Sequence, residues 1–146
     1  MAGTEKKLEN LLLGAWGVSL IATLGSLYFS EIMKFIPCDL CWFQRIFMYP
    51  QVIILGLAAI RKEYEIARYS LVLSIIGGMI SLYHYLLQKV PFFQEHAIAC
   101  GRIPCTGDYI NWLGFITIPF LALTAFCMIS ILSVLIMKTL KEGNRS

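Results

Sequence analysis

Four of the five cysteines form two closely spaced pairs, a pattern typical of dithiol chemistry. Two residues separate Cys38 from Cys41, and four separate Cys100 from Cys105. A Cys-x-x-Cys pair can close a small disulfide ring, and the pKa of one of its thiols can be lowered. The thiolate is the form that attacks disulfides. The pairs therefore suggest thiol–disulfide exchange.

Two non-catalytic interpretations of the same cysteines stay open on the residues alone. A disulfide between Cys100 and Cys105 would brace a loop, and four cysteines could ligate one zinc ion. The wider second pair and an oxidising compartment both weigh against zinc, so we predict no metal site. Cys127 stands alone in an apolar run, and we expect it to be buried by packing.

Three polar residues are candidates for one ligand site. Arg45 lies near the first cysteine pair, and His84 and Gln88 lie at the end of a later apolar run. Arg45 follows Cys41 by four residues, which places both on one face of a helix. A helix that begins near Cys41 would also favour an anion there. An arginine in an apolar span marks a functional site, or it reaches up to lipid phosphates. His84 and Gln88 are four residues apart and share a helix face. Because the depth of His84 in its apolar run is similar to that of Arg45, we expect these two residues to flank one pocket. The alternative is a structural, hydrogen-bonded histidine.

Long apolar runs must position these residues. The chain is 58% hydrophobic and 14% charged, against about 25% charged in soluble domains, and its mean hydropathy is +0.72. A membrane-spanning helix needs about 20 apolar residues. Four runs approach or exceed that length: Leu11–Phe29, Trp42–Ile60, Tyr69–Leu87 and Trp112–Met137. The first run is longer than the apolar part of a cleaved signal peptide, which has about 7–15 residues. We therefore expect it to be an uncleaved membrane span. We predict an all-α integral membrane protein, a four-transmembrane-helix bundle forming one domain over residues 1–146.

The Lys and Arg residues predict the orientation of the bundle, because they concentrate in cytoplasmic segments. Eight belong to the two tails and the link between the second and third runs: Lys6, Lys7, Arg61, Lys62, Arg68, Lys138, Lys141 and Arg145. Four belong to the other side: Lys34, Arg45, Lys89 and Arg102. We therefore expect both termini to be cytoplasmic and two short external loops to carry the cysteine pairs, where disulfides persist. The net charge of +3 comes from basic residues divided among short segments next to the membrane, which membrane topology alone would produce. No nucleic-acid partner is therefore predicted.

The segment Pro37–Arg45 (PCDLCWFQR) resembles the DsbB family of bacterial thiol:quinone oxidoreductases, and most of all its Gram-positive disulfide formation protein C (BdbC) type. The resemblance covers nearly the whole chain, and His84-x-x-x-Gln88 is similar to the quinone-side residues of the family. One departure is the second pair, which is widely separated in the best-known members. The vitamin K epoxide reductase family also couples cysteines to quinone, but there the quinone-side pair begins a later helix.

The resemblance implies an enzyme of the bacterial cell membrane that supports disulfide bond formation. An extracytoplasmic thioredoxin-like oxidase (DsbA-like or BdbD-like) would reduce the Cys100–Cys105 disulfide, and Cys38–Cys41 would reoxidise that pair. Cys41 would pass two electrons to a membrane quinone, menaquinone or ubiquinone, held near Arg45, His84 and Gln88. The competing hypothesis is a non-enzymatic membrane scaffold whose loops hold structural disulfides or zinc.

Overall fold

Four long helices account for most of the described chain. The computed structural model describes residues 2–32, 39–90, 92 and 118–145. The helices are α1 (Ala2–Leu27), α2 (Asp39–Arg61), α3 (Ala67–Lys89) and α4 (Ile118–Arg145). A π-helical segment, Tyr28–Ile32, extends α1, and a short 3₁₀ turn, Tyr64–Ile66, leads into α3.

All four helices are long and apolar enough to cross a membrane. The shorter two have 23 residues each, which corresponds to about 35 Å of helix against a hydrocarbon core of about 30 Å. Lipid offers no hydrogen bonds to the backbone, so an apolar run in a bilayer must satisfy its amides internally, as a helix does. The predicted all-α membrane bundle is confirmed.

The helices at the two ends of the chain extend beyond the predicted apolar runs. Helix α1 begins at Ala2 rather than Leu11, and α4 continues to Arg145 rather than ending at Met137. The added residues include Lys and Glu, which end an apolar run but are good helix formers. The apolar pattern thus located the four helices but not their ends, and residues 112–117 of the fourth run lie outside the described residues.

The helices pack in a ring, α1 against α2, α2 against α3, α3 against α4 and α4 against α1. Because successive helices are antiparallel, the end of α1 and the start of α2 lie at the same end of the bundle as the end of α3 and the start of α4. We call this the site end. At the opposite end a Cβ built on Gly143 of α4 would lie 3.8 Å from Thr4 of α1.

A buried polar cluster joins α2 to α3 within the membrane-spanning part of the bundle. The Gln51 Oε1 accepts hydrogen bonds from the hydroxyls of Ser70 at 3.0 Å and Ser74 at 3.1 Å. Its Nε2 donates to the Phe47 carbonyl at 3.1 Å. All the side-chain groups of this cluster are satisfied, so it holds the two helices together without leaving an unpaired polar group in lipid.

Cys127 differs from its predicted environment. It is exposed on α4, whereas Phe126 and Ile129 on the same helix are buried. The prediction that Cys127 is buried in the core is therefore wrong. Apolar residues occur all around a membrane helix, so composition alone did not show which face points into the bundle.

Candidate functional site at one end of the bundle

Cys41 lies in the first turn of α2, as the sequence predicted. The helix begins at Asp39, and Cys41 is partly buried. The first amides of a helix have no partner within the helix, and together with the helix dipole they favour negative charge nearby. A thiolate at Cys41 would be stabilised by this position.

The imidazole of His84 faces Cys41 across the α2–α3 interface. The Cys41 Sγ lies 4.0 Å from the His84 Nδ1, and His84 is only 1% exposed. This distance is at the long limit for a hydrogen bond to sulfur, but a small approach of the two groups would allow proton transfer, and catalytic hydrogen bonds are often long before the substrate binds. The structure therefore pairs a thiol with a base.

The same ring nitrogen is contacted by a second side chain of α2. The Gln44 Nε2 lies 3.1 Å from the His84 Nδ1, and Gln44 is 6% exposed. In the orientation assigned to this amide, Nε2 donates and Nδ1 accepts, so a neutral His84 holds its proton on Nε2. Turned by 180°, the amide would offer its oxygen to a protonated Nδ1. Gln44 can therefore form a hydrogen bond with His84 in either protonation state of the ring.

Arg45 points to a different neighbour. Its Nε donates to the Ser26 hydroxyl at 2.9 Å, and its Nη2 donates to the Ser26 carbonyl at 3.2 Å. The guanidinium carbon lies 5.2 Å from the centre of the Trp42 ring. Arg45 thus lies between α1 and α2, while His84 lies between α2 and α3. The structure places them on two sides of the first turns of α2.

Several predicted site residues lie outside the described residues. These are Cys38, Cys100 and Cys105. Gln88 is in the last turn of α3, four residues after His84, but its side chain is also outside what the structure describes. Their roles stay predictions.

Sequence reasoning missed two residues of the site, Gln44 and Ser26. Gln44 is a polar residue in the second apolar run, and it shares a helix face with the buried Met48 and Gln51. That spacing of three and four residues was a readable signal. Ser26 offered no such signal, because its contact with Arg45 depends on how α1 is rotated against α2.

These features define a class of protein: a small multi-pass helical membrane protein with a thiol and an imidazole paired at one end of its bundle. The chain belongs to the DsbB family, since the family model "Disulfide bond formation protein DsbB" matches residues 8–136. The resemblance found in the sequence is confirmed.

Curated relatives support the same assignment over nearly their whole lengths. The chain is 62% identical over 136 residues to "Probable disulfide formation protein C 1" of Bacillus anthracis, covering 93% of this chain and 98% of the relative. It is 58% identical over 120 residues to "Disulfide bond formation protein C" of Bacillus subtilis, covering 82% and 87%. No solved structure matches the chain. The chain is thus a membrane oxidoreductase of disulfide bond formation.

Proposed function

We propose that this chain is a thiol:quinone oxidoreductase that reoxidises an extracytoplasmic thioredoxin-like thiol oxidase. The observation that carries the proposal is the 4.0 Å approach of the Cys41 Sγ to the buried His84 Nδ1 at the site end of the bundle. A thiol beside a buried base, at the start of a helix, is suited to alternate between disulfide and thiolate. Membership of a disulfide bond formation family supports the direction of the chemistry.

The electrons would pass through two dithiol exchanges. The reduced partner dithiol attacks the Cys100–Cys105 disulfide, so the partner becomes a disulfide and this pair a dithiol. The Cys100/Cys105 dithiol then reduces the Cys38–Cys41 disulfide in the same way. Reoxidation of Cys38 and Cys41 releases two electrons and two protons to the final acceptor.

The residues at the site end fit a quinone as that acceptor. A quinone is a flat apolar ring with two carbonyl oxygens, so it needs hydrogen-bond donors in an apolar site open to lipid. The His84 imidazole and the Arg45 guanidinium are donors on either side of Cys41, and Trp42 is 53% exposed on the outside of the bundle. A bound quinone would accept the two electrons and two protons and leave as quinol.

Each side chain of the site would have a distinct task. His84 takes the proton of the Cys41 thiol on Nδ1 when the Gln44 amide turns its oxygen in place of its N–H toward that nitrogen, and the Cys41 thiolate is left as the electron donor. Gln44 holds the imidazole ring in place in both protonation states. Arg45 offers positive charge and N–H donors to a carbonyl oxygen, and Gln88, as the resemblance implies, adds a polar group on the His84 side.

A quinone reduction assay tests this function. The purified protein in detergent or proteoliposomes is mixed with a quinone and a reduced thioredoxin-like partner, and quinone absorbance is followed. We expect Cys41→Ser to abolish turnover, because the Cys38–Cys41 disulfide can no longer form. Cys127→Ser is the matched control, since Cys127 is exposed on α4 away from the site, and should retain full turnover. Unchanged turnover in Cys41→Ser would overturn the proposal, as would cysteines that stay oxidised with every partner tested.

A further inference from the structure

A single serine of α1 holds the arginine of the site. Ser26 accepts two hydrogen bonds from Arg45, one on its hydroxyl at 2.9 Å and one on its backbone carbonyl at 3.2 Å. The Arg45 guanidinium also lies over the Trp42 ring at 5.2 Å. Both hydrogen bonds come from neighbouring nitrogens of one planar group, so they fix the direction of the plane as well as its place.

The position of Ser26 in its helix makes the carbonyl bond possible. Ser26 is the next-to-last residue of α1, and the π-helical segment Tyr28–Ile32 follows directly. At this change from α-helical to π-helical turns the regular i→i+4 pattern ends, and a carbonyl oxygen has two lone pairs, so it can accept a second hydrogen bond. The Ser26 carbonyl is therefore able to accept a hydrogen bond from outside the helix.

The remaining donors of Arg45 stay available to a ligand. A guanidinium has five N–H groups, and among the described residues only Ser26 accepts hydrogen bonds from Arg45, so about three N–H groups remain for a ligand. An arginine side chain that is unrestrained in this part of the bilayer would turn toward the lipid headgroups. Binding a ligand would then require the side chain to be ordered at that moment, which weakens affinity.

We propose that Ser26 is a positioning residue, which holds the Arg45 guanidinium below the membrane surface with its unused N–H groups ready for a quinone carbonyl oxygen. This inference rests on the proposed function, in which Arg45 contacts the quinone. It assigns α1 a part in a site whose other described residues, Cys41, Gln44, Arg45 and His84, belong to α2 and α3.

The test compares three serine variants by direct binding of a short-chain quinone, measured calorimetrically on detergent-solubilised full-length protein. Ser26→Ala removes the hydroxyl acceptor, and Ser26→Thr retains it. Ser30→Ala is the matched control, because among the described residues the Ser30 hydroxyl donates to the Leu27 carbonyl, at 3.3 Å, and has no contact with Arg45. A second readout needs no quinone: the ¹⁵N–¹H signal of the Arg45 Nε, assigned by its loss in Arg45→Lys, and its rate of exchange with water.

We expect Ser26→Ala to weaken quinone binding by about three- to tenfold, the effect of one hydrogen bond, and to speed exchange of the Arg45 Nε proton. Ser26→Thr should restore both values, and Ser30→Ala should change neither. Thermal unfolding of each variant checks that the fold is retained.

Two results would overturn the inference. If Arg45→Ala weakens quinone binding and Ser26→Ala does not, Ser26 does not position Arg45, and the proposed function stands. If neither variant changes the binding, Arg45 has no contact with quinone, and that part of the proposed function fails together with the inference.

Discussion

Gln44 is the residue that most changes the picture of the site. It is buried, and its amide lies 3.1 Å from the same His84 nitrogen that the Cys41 sulfur approaches to 4.0 Å. A buried imidazole with no partner would be costly, and its ring would be less well oriented toward the thiol. Gln44 thus belongs to the proposed proton-transfer site, although it carries no charge and cannot itself act as a base.

We predict that Gln44→Leu lowers quinone reduction about tenfold or more, since general acid–base catalysis by a well-placed histidine contributes about 10²–10⁴-fold. The apolar side chain is similar in size but leaves the His84 Nδ1 without its amide partner. The measurement is kcat for quinone reduction with a saturating reduced partner, corrected for the fraction of folded protein.

Gln51→Leu is the matched control for that experiment. Gln51 is also a buried glutamine of α2, but it bonds to Ser70 and Ser74 instead of the site. We expect this variant to lose stability, because two buried hydroxyls lose their acceptor, and to keep its turnover per folded molecule. Equal turnover in Gln44→Leu and wild type would show that His84 does not need the amide.

At the scale of the elements, a glycine of α3 packs directly against an aromatic ring of α4. A Cβ built on Gly77 would lie 2.5 Å from the Phe126 Cε1 and from its Cζ, and Phe126 is 1% exposed. The ring therefore fills the space that any other residue would take at this position. Small residues at helix contacts are how membrane bundles pack closely.

We predict that Gly77→Ala destabilises the bundle by about 1–3 kcal/mol, the usual cost of overpacking. Thermal unfolding in detergent, followed by circular dichroism, would measure the change. Gly78→Ala is the control, because the nearest atom to its added Cβ is the Phe126 Cβ at 3.6 Å, an ordinary contact. Phe126→Leu combined with Gly77→Ala should recover part of the loss. Equal melting temperatures for the two alanine variants would contradict the prediction.

The sequence was a good guide to the elements and a weaker guide to how they face each other. Four apolar runs sufficed to predict four helices, because lipid allows few other structures for such runs. A start of α2 near Cys41 was expected from the apolar run that follows this residue, and the helix begins at Asp39. The rotation of each helix did not follow: Arg45 turned to α1, and Cys127 turned outward. Those outcomes depend on contacts between helices, which no local pattern encodes.

At the scale of the whole molecule, most basic residues of the described chain lie at the end of the bundle opposite the Cys41–His84 pair. Helix α1 starts, α2 ends and α4 ends at one end of the bundle, and these termini carry Lys6, Arg61 and Lys141. Cys41 and His84 lie at the other end. Since Lys and Arg concentrate on the cytoplasmic side, this separation supports the proposal that the termini are cytoplasmic and the site end is external.

We predict that a charged, membrane-impermeant maleimide labels the loop cysteines of intact cells after mild reduction, because the reagent cannot cross about 30 Å of hydrocarbon. A second variant reports on the other side: Lys141→Cys, at an exposed position of α4, in a chain whose five natural cysteines are replaced by serine. It should react only after the cells are permeabilised. Loop cysteines that react only after lysis would place the Cys41–His84 pair at the cytoplasmic surface. Thiols there are kept reduced, so the proposed oxidation of an external partner would have no basis.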